Sequence, residues 1–162
     1  MARRRARSSG WACIGGDDTP ACTCRSPGAA QTAGMERFRI FVLALAGLGF
    51  LGFGVAITLD PAGVLAAVGI LGTPAGRVEL QAFYGGLELG LGAFLLACTL
   101  QPAWRQPGLW LVALGNGGIG AVRLLGIAQT GEFTPFFAWA LAWELGFTVA
   151  AGLALAGARK TG

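Results

Sequence analysis

Four stretches of about twenty apolar residues, at about 38–59, 80–100, 108–129 and 136–157, leave this chain few ways to fold. A helix of twenty residues at 1.5 Å per residue spans the ~30 Å hydrocarbon layer of a bilayer. In lipid the backbone must satisfy its own hydrogen bonds, so segments of this kind become helices. Turn and breaker signals separate them: Asp60-Pro61, Gln101-Pro102, Gly131 and Pro135. The chain is 54% hydrophobic and 12% charged, about half the charged share of a soluble domain. The prediction is an all-α fold, a polytopic membrane protein built as a four-transmembrane-helix bundle. The first span exceeds a secretory h-region in length, so it reads as a retained helix, not as a signal cleaved after Gly54-Val55-Ala56.

Two regions fall outside the spans. Between the first and second, Asp60 can cap a helix, Pro61 suits its first turn, and Ala62 to Leu71 is apolar. That run is too short to cross a bilayer and predicts a short interfacial helix, either covering the bundle end or forming a lid over an outward cavity. Residues 1–34 are polar and hold Cys13, Cys22 and Cys24. They predict a disordered leader ahead of a 35–162 membrane domain, and Met35, directly before the first span, reads as the natural start. Three cysteines without a histidine in the chain fall short of a four-ligand metal site, so no metal and no cofactor are expected. Five arginines (Arg3, Arg4, Arg5, Arg7, Arg25) against Asp17 and Asp18 place +3 of the +4 net charge in the leader. The basic balance is therefore no argument for nucleic-acid binding.

The remaining Lys and Arg residues choose an orientation. Arg37, Arg39, Arg105, Arg159 and Lys160 fall on one side of the four spans, and Arg77 alone on the other. The positive-inside rule predicts both termini in the cytoplasm and a multi-pass protein of the cytoplasmic (inner) membrane. Trp104 and Trp110 suit the cytoplasmic interface; Phe133, Phe136, Phe137 and Trp139 suit the outer one.

Glu88, Arg123 and Glu144 each lie well inside a different apolar span. An ionised side chain near the bilayer centre costs roughly 2.5–3.5 kcal/mol, so the three are expected to meet one another or water. With the predicted orientation, Glu88 and Glu144 lie roughly 12 Å, and Arg123 roughly 9 Å, below the outer surface. One level for all three predicts a buried Glu-Arg-Glu cluster, with Arg123 forking between the carboxylates and one Glu able to hold a proton. Helical spacing supplies neighbours: Gln81, Tyr84, Gly85 and Gly92 beside Glu88, Asn116 and Gly120 beside Arg123, and Thr148 beside Glu144. Gly85, Gly86, Gly90, Gly120 and Gly146 are candidate close-packing positions. A row of small residues in span four, Ala138, Ala142, Gly146, Ala150 and Ala154, fits either packing inside the bundle or a homodimer through the fourth helix.

With no histidine and no serine after Ser26, acyl-transfer triads and His-based metal chemistry are excluded, and an enzyme is the least supported reading. Cys98 reads as a small core residue. The cluster reads mainly as a structural ion network that fixes which helices pack together. The alternative is binding or proton-coupled transport of a small polar or cationic ligand through an outward-facing pocket. The expected partner is the lipid bilayer.

From Met35 onward the chain resembles a family of short four-helix bacterial membrane proteins, domain of unknown function four-three-four-five. The resemblance rests on Gln81-Ala-Phe-Tyr-Gly-Gly86, the following Leu-Glu-Leu-Gly90, Gly120-Ala-Val-Arg123 and Glu144. Family members often carry Arg at the position of Gln81, so this chain departs from them there. The resemblance implies a four-helix inner-membrane protein and no particular activity.

Overall fold

The computed structural model describes residues 27–67, 69 and 73–159. The arginines and cysteines of 1–26 lie outside the described residues, as do Lys160 to Gly162. Every regular element is helical: α1 (Pro27–Leu59), α2 (Pro61–Ala67), α3 (Pro74–Leu80), a π-helical turn (Gln81–Gly86), α4 (Leu87–Leu100), a 3-10 turn (Pro102–Trp104), α5 (Arg105–Thr130) and α6 (Pro135–Arg159). α3, the π turn and α4 run on as one 27-residue helix, and the four long helices are long and apolar enough to cross a membrane.

The helix ends follow local chemistry. The Asp60 side chain accepts from the Gly63 amide at 2.9 Å and caps α2, a short helix between the first and second long ones. Thr73 and Thr134 cap α3 and α6 in the same manner, each followed by proline in the first turn. Gly131 closes α5 at φ 72°, a left-handed conformation that glycine adopts without strain. Three starts differ from the predicted spans. α1 is continuous from Pro27, so the last eight residues assigned to the leader are helical; Ala29, Ala30, Gln31 and Ala33 there are good helix formers. The second long helix begins at Pro74, where the Thr73 cap decides, not at residue 80 where hydrophobicity begins. The third begins with the turn at Pro102.

The helices form two tight pairs, α1 with α4 and α5 with α6, and α1 also touches α5 and α6. The first pair is a glycine crossing. Gly47 and Gly54 of α1 face Gly92 and Gly85, all at seven-residue spacing. A Cβ on Gly92 would stand 2.8 Å from the Gly47 carbonyl oxygen, and one on Gly54 3.0 Å from that of Gly85. Only glycine lets two backbones meet this closely. Gly85 thus packs as expected, whereas Gly86, Gly90 and Gly146 have no heavy atom within 4 Å of a would-be Cβ. They project away from the helix partners.

The core occupies one end of the bundle: Val42, Leu43 and Ala46 of α1, Leu95 and Cys98 of α4, Leu109 and Val112 of α5, and Ala151, Ala154 and Leu155 of α6. Cys98 is buried there, against Gly108. A second polar cluster stitches this end, built on Arg39 and Arg105, which the sequence offered only as markers of orientation. Glu36 pairs with Arg39 at 3.3 Å and with Arg105, Arg105 donates to the Thr99 carbonyl at 3.0 Å, and Arg39 donates to that of Ala154 at 3.3 Å. All four long helices meet in it. The outer faces of the helices carry exposed Phe41, Leu48, Trp139, Val149 and Leu153, which suits contact with lipid.

Candidate functional site

Toward the α2 end the two helix pairs diverge, and a cavity of about 1150 Å³ opens between them. Its walls come from α1 (Phe50, Phe53, Ile57), α2 (Val64, Leu65), Tyr84 of the π turn, Glu88 of α4, α5 from Asn116 to Thr130, the exposed Glu132 of the following loop, and α6 from Phe136 to Glu144. Leu65 is buried, so α2 lies across this end and contributes to the lining.

Arg123 and Glu144 form a bidentate pair across the α5–α6 contact. Arg123 donates from Nε to both carboxylate oxygens, at 3.0 and 3.1 Å, and from Nη2 to Oε1 at 2.6 Å. Parallel N–H···O bonds of this kind are the strongest arrangement for the two groups. Gly120 lies against it: a Cβ there would stand 3.4 Å from Glu144 Cβ and Oε2. The Glu144 side chain is 7% exposed and that of Arg123 24%, so the carboxylate is enclosed and the guanidinium reaches the cavity. The Arg123 guanidinium also lies 5.9 Å from the ring centres of both Phe136 and Phe137. Those two rings were read from the sequence as interfacial aromatics; their i, i+7 and i, i+8 spacing to Glu144 was the available signal.

The three-member cluster divides. Glu88 lines the same cavity from the α4 side, but it makes no ion pair and no side-chain hydrogen bond among the described residues. The expectation that Arg123 forks between two carboxylates is corrected to one pair and one lone carboxylate. The glycine crossing explains the separation, because it holds α4 against α1 while Arg123 and Glu144 belong to the other pair.

The π turn rearranges Glu88's neighbours. It adds in effect one residue to the helix, a rotation of roughly 100°. Gln81 and Glu88, seven residues apart, would share a face of a regular helix. Here Gln81 donates to the Thr58 carbonyl at 2.6 Å, tying the π turn to the end of α1, and does not line the cavity. Tyr84 does line it, beside Glu88. Asn116 lines it too, with its amide donating to the Val112 carbonyl at 3.0 Å. Thr148 does not: its hydroxyl donates to the Glu144 carbonyl at 2.7 Å and its methyl meets Gly117. Trp143, absent from the sequence-derived set, lines the cavity and covers Gly49 so closely that no side chain fits there.

The small-residue row of α6 is split between environments. Ala154 is fully buried in the core, whereas Ala142, Gly146 and Ala150 line a shallow apolar groove of about 390 Å³ beside Phe38 and Leu45 of α1.

The family model described as Domain of unknown function (DUF4345) matches residues 38–155. The match covers most of the chain and all four long helices, so the chain belongs to that family. Neither the curated proteins nor the solved structures yield a significant match.

Proposed function

We propose that this DUF4345-family chain is a multi-pass protein of the cytoplasmic membrane, with both termini in the cytoplasm. In this reading the Arg123–Glu144 pair is structural, and the cavity beside it receives a small ligand carrying a positive charge. The orientation rests on Arg37, Arg39 and Arg105 at the core end against Arg77 beyond α2. It makes the cavity outward-facing, with α2 as its cover.

One observation carries the ligand reading. Glu88 lines a large cavity without a partner among the described residues, while the charges of Arg123 and Glu144 neutralise each other. Charged residues at membrane depth pair with one another or mark a ligand path, and only Glu88 is left over. Glu88, Glu132 and Glu144 against Arg123 leave the lining at −2 when all four are ionised, which attracts a cation and repels an anion. A ligand phosphate or carboxylate would have to compete with Glu144 for Arg123.

The test is calorimetric titration of the protein in lipid nanodiscs with a panel of ammonium and phosphonium salts, for wild type and Glu88→Gln. At least one salt should be retained by wild type and lost by the variant. If no salt shows Glu88-dependent binding, the reading falls.

A further inference from the structure

We infer that the ligand of this cavity is a lipophilic monocation, one charged group on a bulky apolar body, which arrives sideways from the bilayer. The inference rests on the reading of Glu88 as a ligand site and narrows the class of ligand.

Size comes first. Pockets for drug-sized molecules hold about 300–1000 Å³, and this cavity holds about 1150 Å³. An inorganic cation or a methylammonium would leave most of it to water. The walls do not suit water: Phe50, Phe53, Ile57, Ile119, Val122 and Ile127 surround a small polar set. An apolar body against such walls gains roughly 25 cal/mol for each Å² removed from water.

Charge sets the head group. Glu88 has no cationic partner among the described residues, and the neighbouring pair is internally balanced, so a single positive charge completes the part of the site within the helices; the remaining lining carboxylate, Glu132, is exposed in the loop after α5. Metal coordination is a poor alternative, because a hard cation takes six or more oxygen ligands and Glu88 is the one carboxylate without an ion pair that the helices bring to the lining, Glu132 lying exposed in the loop after α5.

The route follows from packing. The π turn rests on α1, through Gly85 against Gly54 and Gln81 on Thr58, and it is not a packing partner of α5. α4 is likewise not packed on α6. Tyr84 on one side and Ile119 and Val122 on the other line the cavity while remaining well exposed. They flank an opening at the level of the apolar spans, and α2 covers the end. Two glycines supply a means of closing the space. Gly118 and Gly126 line the cavity, and a Cβ on either meets no heavy atom within 4 Å. Leucine at these positions is tolerated by the helix and fills the volume.

The experiment compares three probes in nanodiscs: tetraphenylphosphonium, tetramethylammonium, and the neutral triphenylphosphine oxide as a control for partitioning. Proteins are wild type, Glu88→Gln, Gly118→Leu and Gly126→Leu, read by calorimetry and by quenching of tryptophan emission. Tetraphenylphosphonium should bind wild type, while the neutral control should not. Its affinity should fall by about tenfold or more in Glu88→Gln, through loss of the charge, and in at least one leucine variant, through loss of volume. If tetramethylammonium binds as well as tetraphenylphosphonium, or both leucine variants bind tetraphenylphosphonium like wild type, the lipophilic class is refuted while the cation site stands. If neither cation binds in a Glu88-dependent way, both readings fall together.

Discussion

Replacing Arg123 by leucine removes the one side-chain partner that Glu144 has among the described residues. Its carboxylate, 7% exposed, then stands uncompensated in apolar surroundings. Breaking a fully buried ion pair costs about 3–5 kcal/mol, most of it the stranded charge and not the lost attraction. Here the pair is not fully buried, since the Arg123 side chain is 24% exposed, so about 2–4 kcal/mol is expected. Glu144→Gln is milder, because the amide oxygen still accepts from Arg123 and the cation left behind is the more exposed partner; about 1–2 kcal/mol is expected. Arg123→Leu with Glu144→Leu removes both charges and should recover much of the single-variant loss, giving a coupling of about 1–3 kcal/mol. Glu88→Gln breaks no bond and should lie within about 0.5 kcal/mol of wild type. The assay is reversible unfolding in mixed micelles by a denaturing detergent, followed by helical circular dichroism. Wild-type stability for Arg123→Leu would mean that the pair does not hold α5 to α6. A loss for Glu88→Gln equal to that for Glu144→Gln would mean that Glu88 belongs to the network after all.

The glycine crossing makes a paired prediction. Gly92→Val places atoms against the Gly47 carbonyl and Leu51 backbone, which cannot give way, and should cost about 1–3 kcal/mol. Gly90→Ala, two residues away with open space, should be neutral or stabilise by up to about 1 kcal/mol through helix propensity; thermal unfolding of both in one detergent checks the contrast. The orientation is checked by reporter fusions after Gly162 and in the loop at Gly131, which should report cytoplasm and outer side respectively; outer-side activity after Gly162 would overturn it.

Length and hydrophobicity determined the four-helix architecture from the sequence alone, because a continuous apolar segment of about twenty residues satisfies its backbone in a bilayer as a helix. The C-terminal ends of the first three long helices were equally legible, since Asp60-Pro61, Gln101-Pro102 and Gly131 act within a few residues. The Asp60 cap and the short helix after it were local in the same sense. Within the site, the sequence identified Glu88, Arg123 and Glu144 as charges out of place, and all three line one cavity. Which of them pair was decided by tertiary structure. The choice depends on helix rotation and on which glycines of a Gly-rich chain are in contact, and neither is a local property. Gly85 and Gly86 are adjacent in one motif, yet one is buried against α1 and the other projects into open space. Gln81 and Glu88 keep the spacing of a shared face, yet a single π turn sends one to α1 and the other to the cavity. Arg105 and Glu36 lie 69 positions apart, and only the folded bundle joins them. Sequence period assigns a residue to a face, but close backbone approach settles what that face meets.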